Sequence, residues 1–312
     1  LRDYINPVIG TMRIDQVSLA DCDRVMSNLP AQMLKIAGDG RQRVRAKPLS
    51  PSTRRRVAEV LHKLMAFAVY PGRYREHSPL PRGWLPKPSK RKAMVCLYPT
   101  EDRALLGHRA TPLAFRVFVG VLAREGMRSG EALALEWSDL DLVHGAVRLD
   151  QNKTDDPRAW ALDPAVARAL KRWRELSGGG DGAKGGAVFK LASATHLVKA
   201  LQDALRAAGV NRPELFERSE ARQPIRIHDL RATFITVALA NGRSEAWISD
   251  RTGHKSSVMI NAYHRQARTW SELNLGPLAP LDEAIPELGP EDSGRGNCDD
   301  RGYRDESDQP TD

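Results

Sequence analysis

The densest run of chemically capable side chains lies at residues 226–263. His228 and Arg231 stand three positions apart at the start of a predicted helix, so they share one face of that helix. The first turn of a helix has free backbone N–H groups, which favour anions. This spacing therefore predicts a site shaped for a phosphate.

Further reactive groups follow in the same stretch. Gly253 and His254 come directly after the end of the next predicted helix, and Tyr263 lies in a short segment at 258–265. A phenol, two imidazoles and a guanidinium would then be available to one pocket. Each residue also has a structural interpretation, because a single histidine, tyrosine or arginine more often caps a helix, packs in a core or forms a surface ion pair.

Metal binding is the other chemistry that the histidines could supply. His228, His254 and His264 could bind zinc, yet the sequence has no His-Glu-x-x-His pattern and no paired cysteines at ligand spacing. The three cysteines are scattered too widely for a zinc finger or a disulfide framework. We therefore expect neither a metal nor another cofactor.

Three short motifs in this region resemble the C-terminal signature of the tyrosine recombinases, the phage integrase family. They are His-Asp-Leu-Arg-Ala-Thr-Phe at 228–234, Thr-Gly-His at 252–254, and Tyr263. One departure is Ala232, which stands where many members of the family have another histidine.

The upstream half of the family signature is present as well. Gly-Met-Arg-Ser-Gly-Glu-Ala-Leu at 126–133 and Leu-Glu-Trp-Ser-Asp-Leu-Asp at 135–141 are similar to the box that holds the family's first catalytic arginine. Lys153 matches the position of the catalytic lysine, although two aspartates at 155–156 make its turn more acidic than usual. The similarity is strong over about residues 98–270 and weaker in the helical region before them.

The resemblance implies an active site of six residues: Arg128, Lys153, His228, Arg231, His254 and Tyr263. It implies a site-specific recombinase or integrase that breaks and rejoins DNA strands through a 3′-phosphotyrosine, without metal or ATP. The tyrosine would attack the scissile phosphorus and both arginines would clamp the phosphate. The lysine would protonate the leaving 5′-oxygen, His228 would assist proton transfer around the tyrosine, and His254 would donate to a phosphate oxygen.

Elements that could position these residues are mostly helical. Apolar residues recurring at three- and four-residue steps, with capping residues at the ends, predict helices at 15–29, 52–69, 112–125, 130–137, 164–176, 193–208, 228–241 and 244–251. Short alternating segments at 146–150 and 159–162 flank a polar turn at 151–158, which is typical of a hairpin. We predict a mainly α protein with a small antiparallel β-sheet (α+β).

Composition shifts divide the chain into four parts. We predict a helical core-binding, DNA-binding domain at 1–78, a basic proline-rich linker at 79–97 and a catalytic recombinase domain at 98–285. The acidic residues 286–312 form a tail that we expect to be disordered. The glycine-rich stretch 177–186 has no phosphate-loop ending and predicts a flexible surface loop.

The charge of the chain favours a polyanionic partner. The net charge is +9, and the tail holds nine acids against three bases, so the rest of the chain carries +15. Basic residues cluster at 41–47 and 54–56, in the part predicted to be the DNA-binding domain. Such an excess predicts phosphate contacts with double-stranded DNA on both sides of a two-domain clamp.

The expected setting and partners follow from charge, hydropathy and the family resemblance. No apolar run approaches the roughly 20 residues of a membrane-spanning helix, so we expect no membrane contact and a cytoplasmic, nucleoid-associated protein of bacterial or phage origin. The resemblance implies a homotetramer that joins two DNA sites through a four-way junction, with accessory DNA-bending proteins as further partners. The apolar residues of 267–285, including Trp270, predict packing onto a neighbouring protomer. Because the sequence begins at Leu1, we also expect that an N-terminal piece precedes it.

Two other functions remain open from the residues. A non-catalytic helical DNA-binding regulator would explain the basic charge, but it gives no reason for Tyr263 or the two arginines. A type IB topoisomerase would use similar phosphotyrosine chemistry on one duplex, without exchange between partners. Covalent capture of DNA separates the first from a recombinase, and exchange between two duplexes separates the second.

Overall fold

A computed structural model describes residues 1–30, 32–36, 43–89, 92–150, 157–178, 185–191 and 196–289 of the chain. These residues belong to two compact units, Leu1–Arg91 and Lys92–Asp312. Within the described ranges, none of the helices has both the length and the apolar character needed to cross a membrane.

The first unit contains helices and one hairpin. Its elements are α1 (Asn6–Ile9), α2 (Leu19–Ser27), β1 (Gln32–Ile36), β2 (Arg43–Lys47) and α3 (Pro51–Val69). Helix α2 begins later than the predicted 15–29, because Ser18 accepts a hydrogen bond from the backbone N–H of Asp21 and the Asp21 carboxylate accepts one in return.

The core of the first unit lies between α2 and α3. Val57, Leu61 and Met65 of α3 are buried against Cys22 and Val25 of α2, as the three- and four-residue spacing of α3 predicts. The sequence patterns gave no sign of the β1–β2 hairpin. Its strands are antiparallel, with Gln32 opposite Lys47 and Ile36 opposite Arg43.

The second unit is a mainly helical body with a small sheet. Its helices are α4 (Pro99–Gly107), α5 (Leu113–Glu125), α6 (Ser129–Ala134), α7 (Pro164–Leu176), α8 (Leu197–Ala207), α9 (Ile227–Ala240), α10 (Glu245–Thr252), α11 (Ser257–Glu272) and α12 (Leu281–Ala284). Strands β3 (Leu140–Asp141), β4 (Ala146–Leu149) and β5 (Arg158–Ala161) form one antiparallel sheet in that order. The predicted fold class, mainly α with a small antiparallel sheet, is confirmed.

Helices α5 and α9 cross at the centre of this unit. Both are buried on nearly all sides, so their apolar residues are not confined to one stripe. Gly126 ends α5 in the left-handed conformation with φ of 67°, and a Cβ at this position would lie 2.2 Å from the Phe234 ring of α9. The glycine therefore permits the close approach that brings the end of α5 beside the start of α9.

The predicted helix at 130–137 is wrong in its second half. Helix α6 ends at Ala134, and a short 3₁₀ turn follows at Trp137–Asp139. The backbone between them bonds elsewhere, since Val188 N–H donates to Leu135 O at 2.8 Å and Trp137 N–H donates to Gly186 O at 3.0 Å. A distant segment replaces the local hydrogen bonds that would have continued the helix.

The last turns of α11 and the segment after them pack on their own unit, so Trp270 has local partners that the sequence did not indicate, while docking on a neighbour stays a prediction. Trp270 is 3% exposed, contacts the ring of Tyr98 edge-on at 5.8 Å and donates to Gly276 O at 2.9 Å. Leu281 of α12 is fully buried in the main core. Leu273, by contrast, is exposed.

The ordered chain also continues past the predicted start of the acidic tail at 286. Pro286–Leu288 forms a 3₁₀ turn in which Leu288 is buried. Glu287 holds the buried Arg116 through two hydrogen bonds of 2.6 and 3.0 Å. This pairing explains why an acidic residue belongs to the folded unit, whereas residues 290–312 lie outside the described chain.

Candidate active site

Arg231 lies at the centre of the site, in the first turns of α9. Asp229 fixes the start of that helix by accepting hydrogen bonds from the backbone and side chain of Arg226. The Arg231 guanidinium is 3% exposed and donates to Gly126 O at 2.7 Å and Thr252 O at 2.5 Å. It therefore joins the end of α5 to the end of α10.

Arg128 stands at the N-terminus of α6, two residues after the glycine that ends α5. Its Nη1 donates to Glu131 Oε1 at 2.6 Å and its backbone N–H donates to Glu131 Oε2 at 2.7 Å. Its Nη2 lies 3.4 Å from Gly253 O. The side chain is about a quarter exposed, so this guanidinium is the part of the site open to a ligand.

A second guanidinium shares the same carboxylate. Arg158 of β5 places Nη2 2.8 Å from Glu131 Oε2, and both side chains are more than nine-tenths buried. Burial works against ionisation of Glu131, but the hydrogen bonds from Arg128 and the charges of both arginines outweigh it and lower the pKa of Glu131. Two guanidiniums thus pair with one carboxylate, and the charge of Glu131 also acts on Arg231.

This surplus of positive charge changes the titration of the central arginine. Burial first, and then the charge of Arg128, lower the pKa of Arg231 to about 10. Arg231 remains charged at neutral pH, and the opposite charge of Glu131 offsets only part of these two effects. An anion beside it would remove the repulsion.

His254 has a defined tautomer in this arrangement. The Thr252 hydroxyl donates to Ile248 O at 2.7 Å, so it must accept from His254 Nδ1 at 3.0 Å. The other nitrogen, Nε2, lies 3.3 Å from Arg231 Nη2, which can only donate. His254 therefore carries its proton on Nδ1 and turns the lone pair of Nε2 towards Arg231.

The same surroundings keep this imidazole neutral. Burial first, and then the charges of Arg231 and Arg128, lower the pKa of His254 to about 4. Without an anion, His254 has no free N–H to offer on Nε2. A negative group bound beside it would raise the pKa of His254 and favour the doubly protonated, donating form.

His228 lies one turn before Arg231 on α9. It is exposed, and desolvation followed by the charge of Arg231 lowers its pKa. The ring is thus a neutral base or donor at the rim of the site at neutral pH.

Tyr263 approaches the site from α11. The residue is 8% exposed, and its ring centroid lies 6.4 Å from that of His254. Burial raises the pKa of Tyr263, while the charge of Arg231 acts in the opposite direction. Among the described residues, the hydroxyl makes no hydrogen bond, and the ring is packed in an apolar cluster with Ile260 and Trp270.

The structure therefore gathers Arg128, Arg231, His254 and Tyr263 in one place, with His228 at its rim. Lys153 lies outside the described residues. In the described part of the chain, no three His, Cys, Asp or Glu side chains form a group that could hold a metal ion. His264, considered above as a zinc ligand, instead contacts Glu245 Oε1 at 2.8 Å.

Three residues of the site were assigned no role from the sequence. Glu131 had one local signal, its position three residues after Arg128 at a helix start, where a capping box forms. Thr252 was part of the Thr-Gly-His motif, but no role was assigned to its hydroxyl, which bonds to Ile248 O and His254 Nδ1. Arg158 had no local signal, because its partners Glu131 and Arg251 come from distant elements.

Another buried carboxyl supports the end of α5. Glu125 accepts from Trp160 Nε1 and from the Asp163 backbone N–H, both at 2.8 Å. Burial raises the pKa of Glu125 to about 7, against the opposing effect of these two hydrogen bonds. It ties β5 and the start of α7 to the residue next to Gly126.

A mainly helical unit that brings two arginines, histidines and a tyrosine together at one site has the architecture of the tyrosine recombinases. A comparison with protein families agrees, because the phage integrase family model matches residues 97–269. The chain belongs to the phage integrase family. The resemblance inferred from the sequence motifs is confirmed.

Individual relatives are distant. The chain is 23% identical over 195 residues to the ICEBs1 integrase of Bacillus subtilis (strain 168), a match that covers 57% of this chain and 49% of that protein. The matched part thus spans about half the length of this relative.

Solved structures agree in fold. A lambda integrase dimer bound to a COC′ core site matches with a TM-score of 0.58 and 15% identity, over 84% of this chain and 85% of the other. The Tn1549 transposon integrase in complex with transposon right end DNA matches with a TM-score of 0.55 and 16% identity, over 85% and 88%.

Proposed function

We propose that this protein is a site-specific DNA recombinase that cleaves and rejoins strands through a 3′-phosphotyrosine, using neither metal nor ATP. The observation that carries the proposal is the buried surplus of positive charge beside a phenol. Arg128 and Arg158 share one carboxylate, Arg231 is buried near them, and the His254 ring lies beside both Arg231 and the Tyr263 ring. A phosphodiester fits both the charge and the donors.

The proposed reaction uses each group once. The Tyr263 oxygen attacks the scissile phosphorus, and the bond from phosphorus to the 5′-oxygen breaks. The phenol loses its proton, with His228 assisting the transfer, and the leaving oxygen takes one from Lys153. Because the phosphotyrosine keeps an ester bond, the 5′-hydroxyl of another strand can reverse the step without ATP.

The guanidiniums would bind the non-bridging oxygens, whose charge grows in the transition state. Arg128 is the open donor, and Arg231 is held by two backbone carbonyls that fix its direction. His254 would join them only after gaining a proton on Nε2, which the phosphate charge favours. DNA binding should therefore raise the pKa of His254 from its value of about 4.

The assembly that we propose is a homotetramer on two double-stranded DNA sites, with accessory bending proteins. Support comes from the basic chain and from relatives that are integrases of mobile elements, including one described as a DNA-bound dimer. Residues 1–78 would act as the core-binding domain and 98–285 as the catalytic domain. A mobile genetic element would encode the protein, which would act on DNA in the cytoplasm, at the nucleoid.

Covalent capture tests the chemistry. Nicked duplexes that tile the DNA flanking the gene would be incubated with the protein, and adducts that survive detergent would be sequenced. We expect an adduct at one site, none with Tyr263→Phe, and an unchanged adduct with Tyr98→Phe, which removes a hydroxyl elsewhere in the same unit.

The rival functions give other outcomes. Sequence-specific binding without an adduct would identify a regulator and refute the proposal. An adduct that relaxes supercoils but never joins strands of two duplexes would identify a topoisomerase-like enzyme. Joining of strands from two labelled duplexes supports recombination.

A further inference from the structure

We infer that Arg158 is a positioning residue for this reaction, a third guanidinium that holds Glu131 and the end of α10 in place for Arg128, Arg231 and His254. The inference rests on the proposed function. Arg158 begins β5, five positions after Lys153, so it also links the strand that follows the proposed general acid to the phosphate-binding groups.

The three guanidiniums converge on consecutive backbone carbonyls. Arg158 Nη1 donates to Arg251 O at 3.0 Å, Arg231 Nη2 donates to Thr252 O at 2.5 Å, and Arg128 Nη2 lies 3.4 Å from Gly253 O. These carbonyls form the C-terminal end of α10, where backbone oxygens lack helical partners and the helix dipole is negative. One helix end therefore orients all three cations.

Gly253 makes this convergence possible. It caps α10 in the left-handed conformation with φ of 65°, and a Cβ there would lie 2.6 Å from Arg158 Nη1. Arg158 thus passes directly over the turn that carries His254. Its guanidinium carbon lies 5.6 Å from the centre of the Trp160 ring, which supports it from the strand.

Glu131 is the second point that Arg158 holds. Its Oε1 accepts from Arg128 Nη1, while its Oε2 accepts from the Arg128 backbone N–H and lies beside Arg158 Nη2. Without Arg158, this buried carboxylate would keep both hydrogen bonds to Arg128, but the Glu131–Arg128 pair would lose its charged tie to β5 and could shift as a unit. A displacement of about 1 Å at a reacting group can cost on the order of 10² in rate.

Arg158 holds the site without being open to DNA itself. Its side chain is 7% exposed, against 27% for Arg128. Its charge also contributes to lowering the pKa of His254 and of Arg231. Loss of Arg158 should therefore alter the site's electrostatics in the free protein, before any DNA is bound.

Three variants separate positioning from binding and from general stability. Arg158→Met removes the charge and keeps the length of the stem, and Arg158→Lys keeps the charge but cannot serve Glu131 and Arg251 O together. Arg116→Met is the matched control, because Arg116 is equally buried and also binds a carboxylate and backbone carbonyls, none of which belongs to the site.

The first measurement on each variant is the rate of single-turnover cleavage of the nicked duplex at saturating protein, together with the Kd of the protein for that duplex. The second is an NMR titration of the His254 imidazole in the absence of DNA. For Arg158→Met we expect cleavage to fall about 10- to 100-fold with Kd changed less than about threefold, and the pKa of His254 to rise. Arg158→Lys should recover part of the rate. Arg116→Met should lower Tm only.

Unchanged cleavage and an unchanged His254 titration in Arg158→Met would overturn the inference. Loss of DNA affinity parallel to the loss of rate would also overturn it, because Arg158 would then be a phosphate ligand. If Arg158→Met does not fold, Arg158→Lys decides by the same criteria. If the wild type forms no adduct, the proposed function fails, while the His254 titration still tests the placement of Arg158.

Discussion

The two sides of the candidate site are held by different forces. The arginine side, formed by Arg128, Arg158 and Arg231, is fixed by ion pairs and by hydrogen bonds to backbone carbonyls. The tyrosine side, helix α11, is fixed mainly by apolar packing of Ile260 and Trp270.

This difference extends to the ends of the elements. The turn at Gly253 has all three guanidiniums on its carbonyls. Helix α11, by contrast, receives no side-chain cap from Ser256 and exposes Val258 and Met259 before the tyrosine. Groups that must stabilise charge are rigidly bonded before the substrate arrives, as electrostatic preorganisation requires. The proposed nucleophile, Tyr263, needs only a position, which apolar packing provides.

Removing the main anchor of the tyrosine side should produce the largest effect. Trp270→Ala should lower the free energy of unfolding by about 3–5 kcal/mol, because it empties a buried site and leaves Gly276 O without its donor. Chemical denaturation measures the change. As a control, Leu273→Ala alters an exposed neighbour and should change stability by less than about 0.5 kcal/mol. Equal effects of both would show that packing does not hold this side.

On the arginine side, Arg231→Lys should reduce single-turnover cleavage by about 10²- to 10³-fold, the usual effect of losing one preorganised donor. A lysine cannot reach Gly126 O and Thr252 O while also presenting paired donors. Arg116→Lys, a buried arginine elsewhere in the unit, should leave the cleavage rate of folded protein unchanged. A similar loss in both variants would attribute the effect to stability.

The spacing between the two central helices can be tested at one glycine. Gly126→Ala should destabilise the protein by about 2–4 kcal/mol, since the new Cβ both strains a left-handed residue and meets the Phe234 ring. In Gly130→Ala nothing lies within 4 Å of the new Cβ, so stability should stay the same or rise slightly. Tolerance of alanine at position 126 would contradict the close approach of α5 and α9.

The smallest expected effect is a change of stability with pH caused by Glu125, the buried carboxyl at the end of α5. The pKa of Glu125 is about 7 in the folded protein against an ordinary 4.5. Between these two pH values the folded state therefore keeps a proton that the unfolded state releases. The free energy of unfolding should therefore fall by about 1–3 kcal/mol as pH rises from 5 to 8. Urea denaturation of the wild type and Glu125→Gln across this range provides the measurement, and the variant should show a smaller fall. Equal slopes would rule out Glu125 as the titrating group.

Much of the fold was predictable where local signals suffice. Helix α7 occupies the predicted residues 164–176, because Asp163 caps it, a proline opens it and its apolar residues keep one face. The prediction of a helix at 130–137 was wrong where the backbone forms hydrogen bonds to residues 186–188. Such tertiary hydrogen bonds cannot be predicted from local sequence patterns. The β1–β2 hairpin was likewise missed.

The residues of the candidate site also divide into those that the sequence could predict and those that it could not. The motifs and the family resemblance identified Arg128, Arg231, His254 and Tyr263, which the structure brings together, while Lys153 stays a prediction. The roles of Glu131 and Arg158 depend on three elements far apart in sequence meeting at one turn. Spacing along the chain cannot reveal such a meeting.

The carbonyl cluster at the end of α10 also bears on protein engineering. A chimera that exchanges the last turn of α10 with that of a relative would carry over His254 but meet foreign partners for each carbonyl. Grafts into this scaffold should therefore transfer residues 247–254 as one block together with Arg128, Glu131 and Arg158. Crossover points fit better in the loop between α9 and α10, where Gly242 has open space around it.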